Sequence, residues 1–299
     1  MVKTPSPHPF YSLGNSQETF FARPTDEYEV YKTMMEMKNS YSADYYGLNP
    51  SMVKLSAPFI SATLAQLFND SIVTGIFPQE LKISLVKPIF KSGDSLNPSN
   101  YRPISISPVF SKIFEKLMYS RLLEFFEKNN IFNSSQYGFR KHMNTMDAIY
   151  NVIHQVLHSI NNHEQIMALF CDLSKAFDRV VHDILIGKLE RYGIRGVALS
   201  WIESFLANRL QIVEIDDDSG VVFSDELETK QGVPQGTILG PFFFITYIND
   251  LPNCISYPST LFADDSTVLL KVDKNNQLSI LKEALNDLTS DGKLSIVFQ

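Results

Sequence analysis

Apolar residues recur along this chain at two periods, and the switching between them sets the expected order of elements. Ser61 to Asn69 carries Leu64, Leu67 and Phe68 at helical spacing, and ISLVKPIF, Ile83 to Phe90, alternates as a strand does before the turn residues KSGD. Ser107 as an N-cap with Pro108 in the first turn opens a helix whose face collects Phe110, Ile113, Phe114, Leu117, Met118, Leu122 and Phe125. Thr145 caps another, with Ile149, Val152, Ile153, Val156, Leu157 and Ile160 as its stripe. QIMALFCDL, Gln165 to Leu173, is an apolar run of strand length. Helices are expected near Asp183 to Tyr192, around Ala198 to Leu206 and over Phe242 to Asn249, and QIVEI, DDDSG and VVFSDELETK form a hairpin. Interleaved helices and strands with no internal repeat exclude solenoids and all-β folds, leaving α+β or α/β.

Size and composition narrow the class. With 299 residues and 44% hydrophobic content the chain can bury a sizeable core, as one large domain or two smaller ones. The longest apolar run, Pro241 to Ile248, is too short to span a bilayer, and the first twenty residues lack the apolar centre of a signal peptide, so no membrane partner is expected. Two cysteines, Cys171 and Cys254, suit a reduced intracellular protein and have no zinc-like spacing. The net charge of −7 argues against a nucleic-acid partner until its distribution is considered. Between Lys82 and Lys141 stand 10 lysines and arginines against 4 acids, with 16 against 29 elsewhere. That basic block is either a nucleic-acid contact or a solvated helical face.

Three constellations carry candidate chemistry. An apolar strand ends at Asp172 in CDLSKAFD, placing a carboxylate at a strand terminus; capping of the following turn is the alternative. In LFADDSTVLL, Leu261 to Leu270, Asp264 and Asp265 sit between two strands, where a tight turn can bring both to one locus. Like charges that close need a cation to stay ionised, and Mg²⁺ accepts one or two carboxylates with waters and phosphate oxygens; a solvent-facing turn is the alternative. QGVPQGTILGP, Gln231 to Pro241, is a glycine-punctuated loop that admits a ligand close to backbone or simply joins strand to helix.

Taken in order, these motifs resemble the consecutive active-site motifs of reverse transcriptases. KPIFKSGD, NYRPISISPVFSKIFEKL, QYGFR, DLSKAFDRVVH, WIESFLANRLQ and QGVPQGTILGPFFF are similar to the polymerase of non-LTR, LINE-type retrotransposons, over about residues 40 to 275. The resemblance implies an α+β right-hand polymerase with fingers and a palm built on a ferredoxin-like antiparallel sheet. It implies two Mg²⁺ ions, with Mn²⁺ as a substitute, held by Asp172, Asp264 and Asp265 with the Leu173 carbonyl as a further ligand. Phe177 matches the steric gate against ribonucleotides, Gln235 and Gly236 the loop lining the incoming nucleotide, and Lys91 and Arg102 the fingers residues on its triphosphate. Arg140 and Lys141 match a template-backbone contact or are surface charge. The implied partners are an RNA template, a DNA primer and deoxynucleoside triphosphates, and the implied compartment is intracellular, nucleus or cytoplasm.

The corresponding organisation is a flexible lead-in over 1–25, a helical extension over 26–75, and fingers and palm over 76–299, ending before the family's thumb. The competing expectation is a truncated, catalytically inactive element remnant that at most binds RNA. A group II intron maturase is disfavoured, because YRPIS, SKAFD and WIESFLANR are closer to LINE-type elements.

Overall fold

The computed structural model describes residues 16–173, 175–217, 220–273, 276–289 and 296–297. The helices are α1 (Glu27–Met35), α2 (Pro50–Thr74), α3 (Val109–Lys128), α4 (Thr145–Asn161), α5 (His182–Arg191), α6 (Val197–Leu206), α7 (Leu239–Tyr247) and α8 (Gln277–Thr289). The strands are β1 (Ile83–Phe90), β2 (Tyr101–Ile106), β3 (Gln165–Leu173), β4 (Arg209–Asp217), β5 (Gly220–Phe223), β6 (Leu227–Thr229), β7 (Ser259–Phe262), β8 (Asp265–Val272) and β9 (Ile296–Val297). The fold is thus mixed α+β. No helix among the described residues is long and apolar enough to cross a membrane.

Among the described residues two compact units emerge, one within 130–176 and 244–297, the other within 16–129 and 177–243. The first is organised by the four-stranded order β7-β8-β3-β9, antiparallel throughout. Period two divides its faces. Cys171, Val268, Leu270 and Val272 cluster with Ala284 and Leu288 of α8, while Phe170 and Asp172 are exposed. In the second unit a sheet runs β2-β1-β4-β5, with β6 also on β4 and a parallel pairing of β1 with β4. Phe77 centres its helical core, edge-on to Trp201 at 5.2 Å, Phe205 at 5.1 Å and Phe114 at 6.4 Å. The buried Trp201 Nε1–H donates to Ser71 Oγ at 2.8 Å, so the polar tip of the ring is satisfied.

The structure corrects several expectations. Of the lead-in, residues 1–15 lie outside the described residues, whereas 16–25 are anchored. Ser16 and Phe20 donate their N–H groups to the carbonyls of Arg191 and Gly193, and the buried Phe20 ring meets Phe125 edge-on. Ser107 does not cap α3: the Val109 N–H is bound by Asp44 Oδ2 at 2.8 Å, 65 residues upstream, and the buried Ser107 hydroxyl has no partner. Asn144, not Thr145, caps α4, in a reciprocal box with Asp147. The stripe of α4 is not core: Ile149, Ile153, Leu157 and Ile160 are 45–55% exposed, and the helix's buried residues are Ala148 and Ser159.

Candidate active site

The carboxylates come together through strand register. Asp172 at the end of β3 is the direct antiparallel partner of Asp265 at the start of β8, which sets their Cα atoms roughly 4.5–5.5 Å apart on one face. Asp264 precedes Asp265 in a two-residue turn, Ala263–Asp264, so its Cα lies within roughly 10 Å of that of Asp172. Register therefore makes Asp265, not Asp264, the residue facing Asp172. φ is positive at Ala263 (57°) and not at Asp264, the pattern of a II′ hairpin turn, whose first central position glycine usually takes.

Like charge is crowded here. Desolvation first, then the Asp264 and Asp172 charges, raise the Asp265 carboxyl above its ordinary value. Among the described residues no three or more His, Cys, Asp and Glu side chains are grouped closely enough to hold a metal ion by themselves. The donors still fit a hard divalent cation, which takes one or two carboxylates and fills its remaining positions with water or phosphate oxygens. Leu173, the other expected ligand, is buried at the end of β3.

The expected nucleotide-binding residues all fall in the second unit. Lys91 and Arg102 sit at the tip of the β1–β2 hairpin, where the Lys91 N–H to Asn100 carbonyl bond continues the ladder and Ile89 pairs Arg102. Alternation then puts both cations on one face, exposed and without an ion pair among the described residues. The rest of the basic block is largely committed. Lys87 binds Glu214, Lys116 binds Glu36, Arg121 binds Glu29, and Lys82 is buried. Arg140, in the first unit, stacks on Phe132 and donates to the Asn133 carbonyl, which favours a structural role over a template contact.

Gln235 and Gly236 belong to a loop fastened on both sides. The Val233 and Gly232 N–H groups bind the carbonyls of Phe177 and Val180, and the Ser105 N–H of β2 binds the Gln235 carbonyl at 2.8 Å. The Gln235 amide donates to Asp178 Oδ1 at 3.1 Å. Gly236 has φ of 110° and lies against the Ser105 carbonyl where a Cβ would not fit. A cavity of about 310 Å³ opens beside this loop, lined by Ser84, Ser105, Asp178, Gln211 and Gln235 among others. Half-buried Phe177 stands in a short 3₁₀ turn, Phe177–Arg179, at the same loop.

Two residues of this region escaped the sequence reading. Asp178 orients Gln235, and Glu115 of α3, fully buried, accepts from the N–H groups of Ile238 and Leu239 at the entry to α7. Burial pushes the Glu115 carboxyl up despite those bonds, one from Ser111 Oγ, and the buried Arg209 guanidinium. The signal for Glu115 was present, since Ser111 and Glu115 are polar at i,i+4 within an apolar helix face.

Comparison with known proteins identifies the family of the chain. Residues 89–296, more than half of the chain, match the family model "Reverse transcriptase (RNA-dependent DNA polymerase)". The chain is 31% identical over 196 residues to a probable RNA-directed DNA polymerase from transposon BS of Drosophila melanogaster, covering 63% of this chain and 20% of that protein. It is 30% identical over 217 residues to the RNA-directed DNA polymerase from mobile element jockey of the same organism, covering 70% and 23%. A putative 115 kDa protein in the type-1 retrotransposable element R1DM is 30% identical over 86% of this chain and 24% of its own length. The chain thus spans about a fifth to a quarter of the curated relatives it matches. Apo telomerase from Candida tropicalis superposes with a TM-score of 0.47 at 14% identity, covering 74% of this chain and 49% of that one. The chain belongs to the reverse transcriptase (RNA-dependent DNA polymerase) family, with Drosophila relatives named as RNA-directed DNA polymerases of a transposon and a mobile element.

Proposed function

We propose that this chain adds deoxynucleotides to a DNA primer 3′-hydroxyl on an RNA template, with the first unit acting as palm and the β1–β2 hairpin as part of the fingers. The observation that carries this reading is the register that sets Asp172 opposite Asp265 with Asp264 in the adjoining turn. Asp172 and Asp264 would hold two Mg²⁺ ions, for which Mn²⁺ could substitute, with Asp265 and the Leu173 carbonyl in support. Such ions, when bound, activate the attacking oxygen and steady the leaving pyrophosphate. Lys91 and Arg102 bind the triphosphate as unpaired cations, Arg102 through its bidentate fork. Gln235 and Gly236 line the nucleotide, and Phe177 excludes a 2′-hydroxyl.

Primer extension with Mg²⁺, an RNA template and a DNA primer tests the reading. Extension by the wild-type chain that is lost in Asp264→Asn supports it, whereas equal inactivity in both supports the inactive remnant. Two subsidiary outcomes follow from the loop. Gly236→Ala is expected to raise the dNTP KM about tenfold, since the strained φ and the Ser105 carbonyl both force the loop aside. Phe177→Val is expected to improve ribonucleotide use relative to deoxyribonucleotide by on the order of tenfold or more, measured as the ratio of kcat/KM values. An unchanged ratio would remove Phe177 from the gate.

A further inference from the structure

The QYG of Gln136–Gly138 has no part in the roles above, yet in the first unit it lies against the turn that carries Asp264. Leu261 of β7 donates its N–H to the Ser135 carbonyl and accepts from the Tyr137 N–H, both at 2.8 Å, so Gln136 makes a parallel bridge with Leu261. Gln136 is 1% exposed. Its Oε1 accepts from the Gly138 N–H at 2.7 Å and from the Ala263 N–H at 3.1 Å. Its Nε2 is buried with no hydrogen-bond partner. An amide stranded on one side is costly, so the acceptor must serve something the fold needs.

That need is visible in the turn itself. Ala263 has φ of 57°, a conformation that residues other than glycine rarely adopt and that persists only where surroundings over-determine it. Gly138 supplies the second restraint. Its φ is not positive, so backbone freedom does not explain the glycine. A Cβ at 138 would overlap the Ala263 nitrogen, and would lie 2.9 Å from Ala263 Cα and 3.0 Å from Phe262 C. Backbone therefore packs directly on backbone at the residue before Asp264.

We propose that Gln136 and Gly138 are positioning residues for the carboxylates: the Gln136 carbonyl oxygen and the bare Gly138 Cα hold the Ala263 turn so that Asp264 and Asp265 stand with Asp172 ready for a divalent cation. This rests on the reading of that trio as the metal site. Partners one step removed from a metal ligand commonly set its affinity, at a cost of 10–100-fold when lost.

Mn²⁺ alone is the probe, with free ion followed by electron paramagnetic resonance during titration of the 299-residue chain. The wild type is expected to bind, Asp264→Asn to lose binding, and Gln136→Met and Gly138→Ala to weaken it roughly 10-fold while circular dichroism stays that of the wild type. Folded Gln136→Met and Gly138→Ala chains with wild-type affinity would overturn the positioning role and leave the metal site standing. Wild type and Asp264→Asn binding alike would instead overturn the metal site and this role with it. Should both variants fail to fold, amide hydrogen exchange of the wild type decides. A protected Ala263 N–H is expected, and exchange at the rate of an open loop amide refutes the brace.

Discussion

Primer extension by Asp264→Asn is expected to fall by roughly three orders of magnitude or more, about 4 kcal/mol of transition-state stabilisation at 1.36 kcal/mol per tenfold. Asparagine keeps the size and most of the hydrogen bonding of the side chain but removes the charge that a divalent cation needs. Stability should move the opposite way. The Asp265 carboxyl is raised by desolvation and by the Asp264 and Asp172 charges, so like charges repel one another at the metal-free site. Taking away one charge relieves that repulsion, and the metal-free variant should unfold at a slightly higher temperature than the wild type. Added Mg²⁺ should stabilise the wild type and not the variant, because only a ligand bound by the native state shifts unfolding. Asp172→Asn should behave in the same way. The double substitution should lose little more activity than either single one, as expected for residues that act as a unit.

The second large effect falls on stability. Glu115→Ala is expected to destabilise the chain by about 3 kcal/mol, because buried hydrogen-bond donors lose their acceptor and the nearby Arg209 guanidinium loses a favourable charge. Arg209, 3% exposed, would keep its guanidinium stacked on Phe205 and bonded to the Phe205 carbonyl, with no carboxylate acting on it and Nη2 already without a partner. The N–H groups of Ile238 and Leu239 would be orphaned at the same time. Adding Arg209→Met should recover part of the loss, so a double-mutant cycle in denaturant reads the coupling. Burial raises the folded-state pKa of Glu115 above its ordinary 4.5, so between those values the native state binds more protons than the unfolded chain. The stability contribution of this group is then fully present below pH 4.5 and declines as pH rises through the raised value. Glu115→Gln should abolish that slope.

Local periodicity made much of the architecture legible. The strands Ile83–Phe90 and Gln165–Leu173 appear with the bounds their apolar patterns suggest, and the acidic pair in LFADDSTVLL occupies the turn and first strand residue of a hairpin. A pattern along the chain records which face is apolar, but not what meets it. That is why α4 could be read as a core helix from its stripe while four of those residues face outward among the described residues. The same limit hid Asp44, whose capping of α3 depends on a contact 65 positions away, and Glu115, whose carboxylate serves α7 across more than 120 residues. Ordered motifs brought the family into view, yet they did not reveal that Asp265 rather than Asp264 would be the cross-strand partner of Asp172. Register is a property of pairing and is absent from either strand alone.

Anomalous scattering from crystals of the chain soaked in Mn²⁺ with a deoxynucleoside triphosphate is the most direct test of a shared metal site. Density for Mn²⁺ within about 2–2.5 Å of carboxylate oxygens from both Asp172 and Asp264 is the expected result. Mn²⁺ on the nucleotide or elsewhere on the protein, with those carboxylates bare, would contradict it.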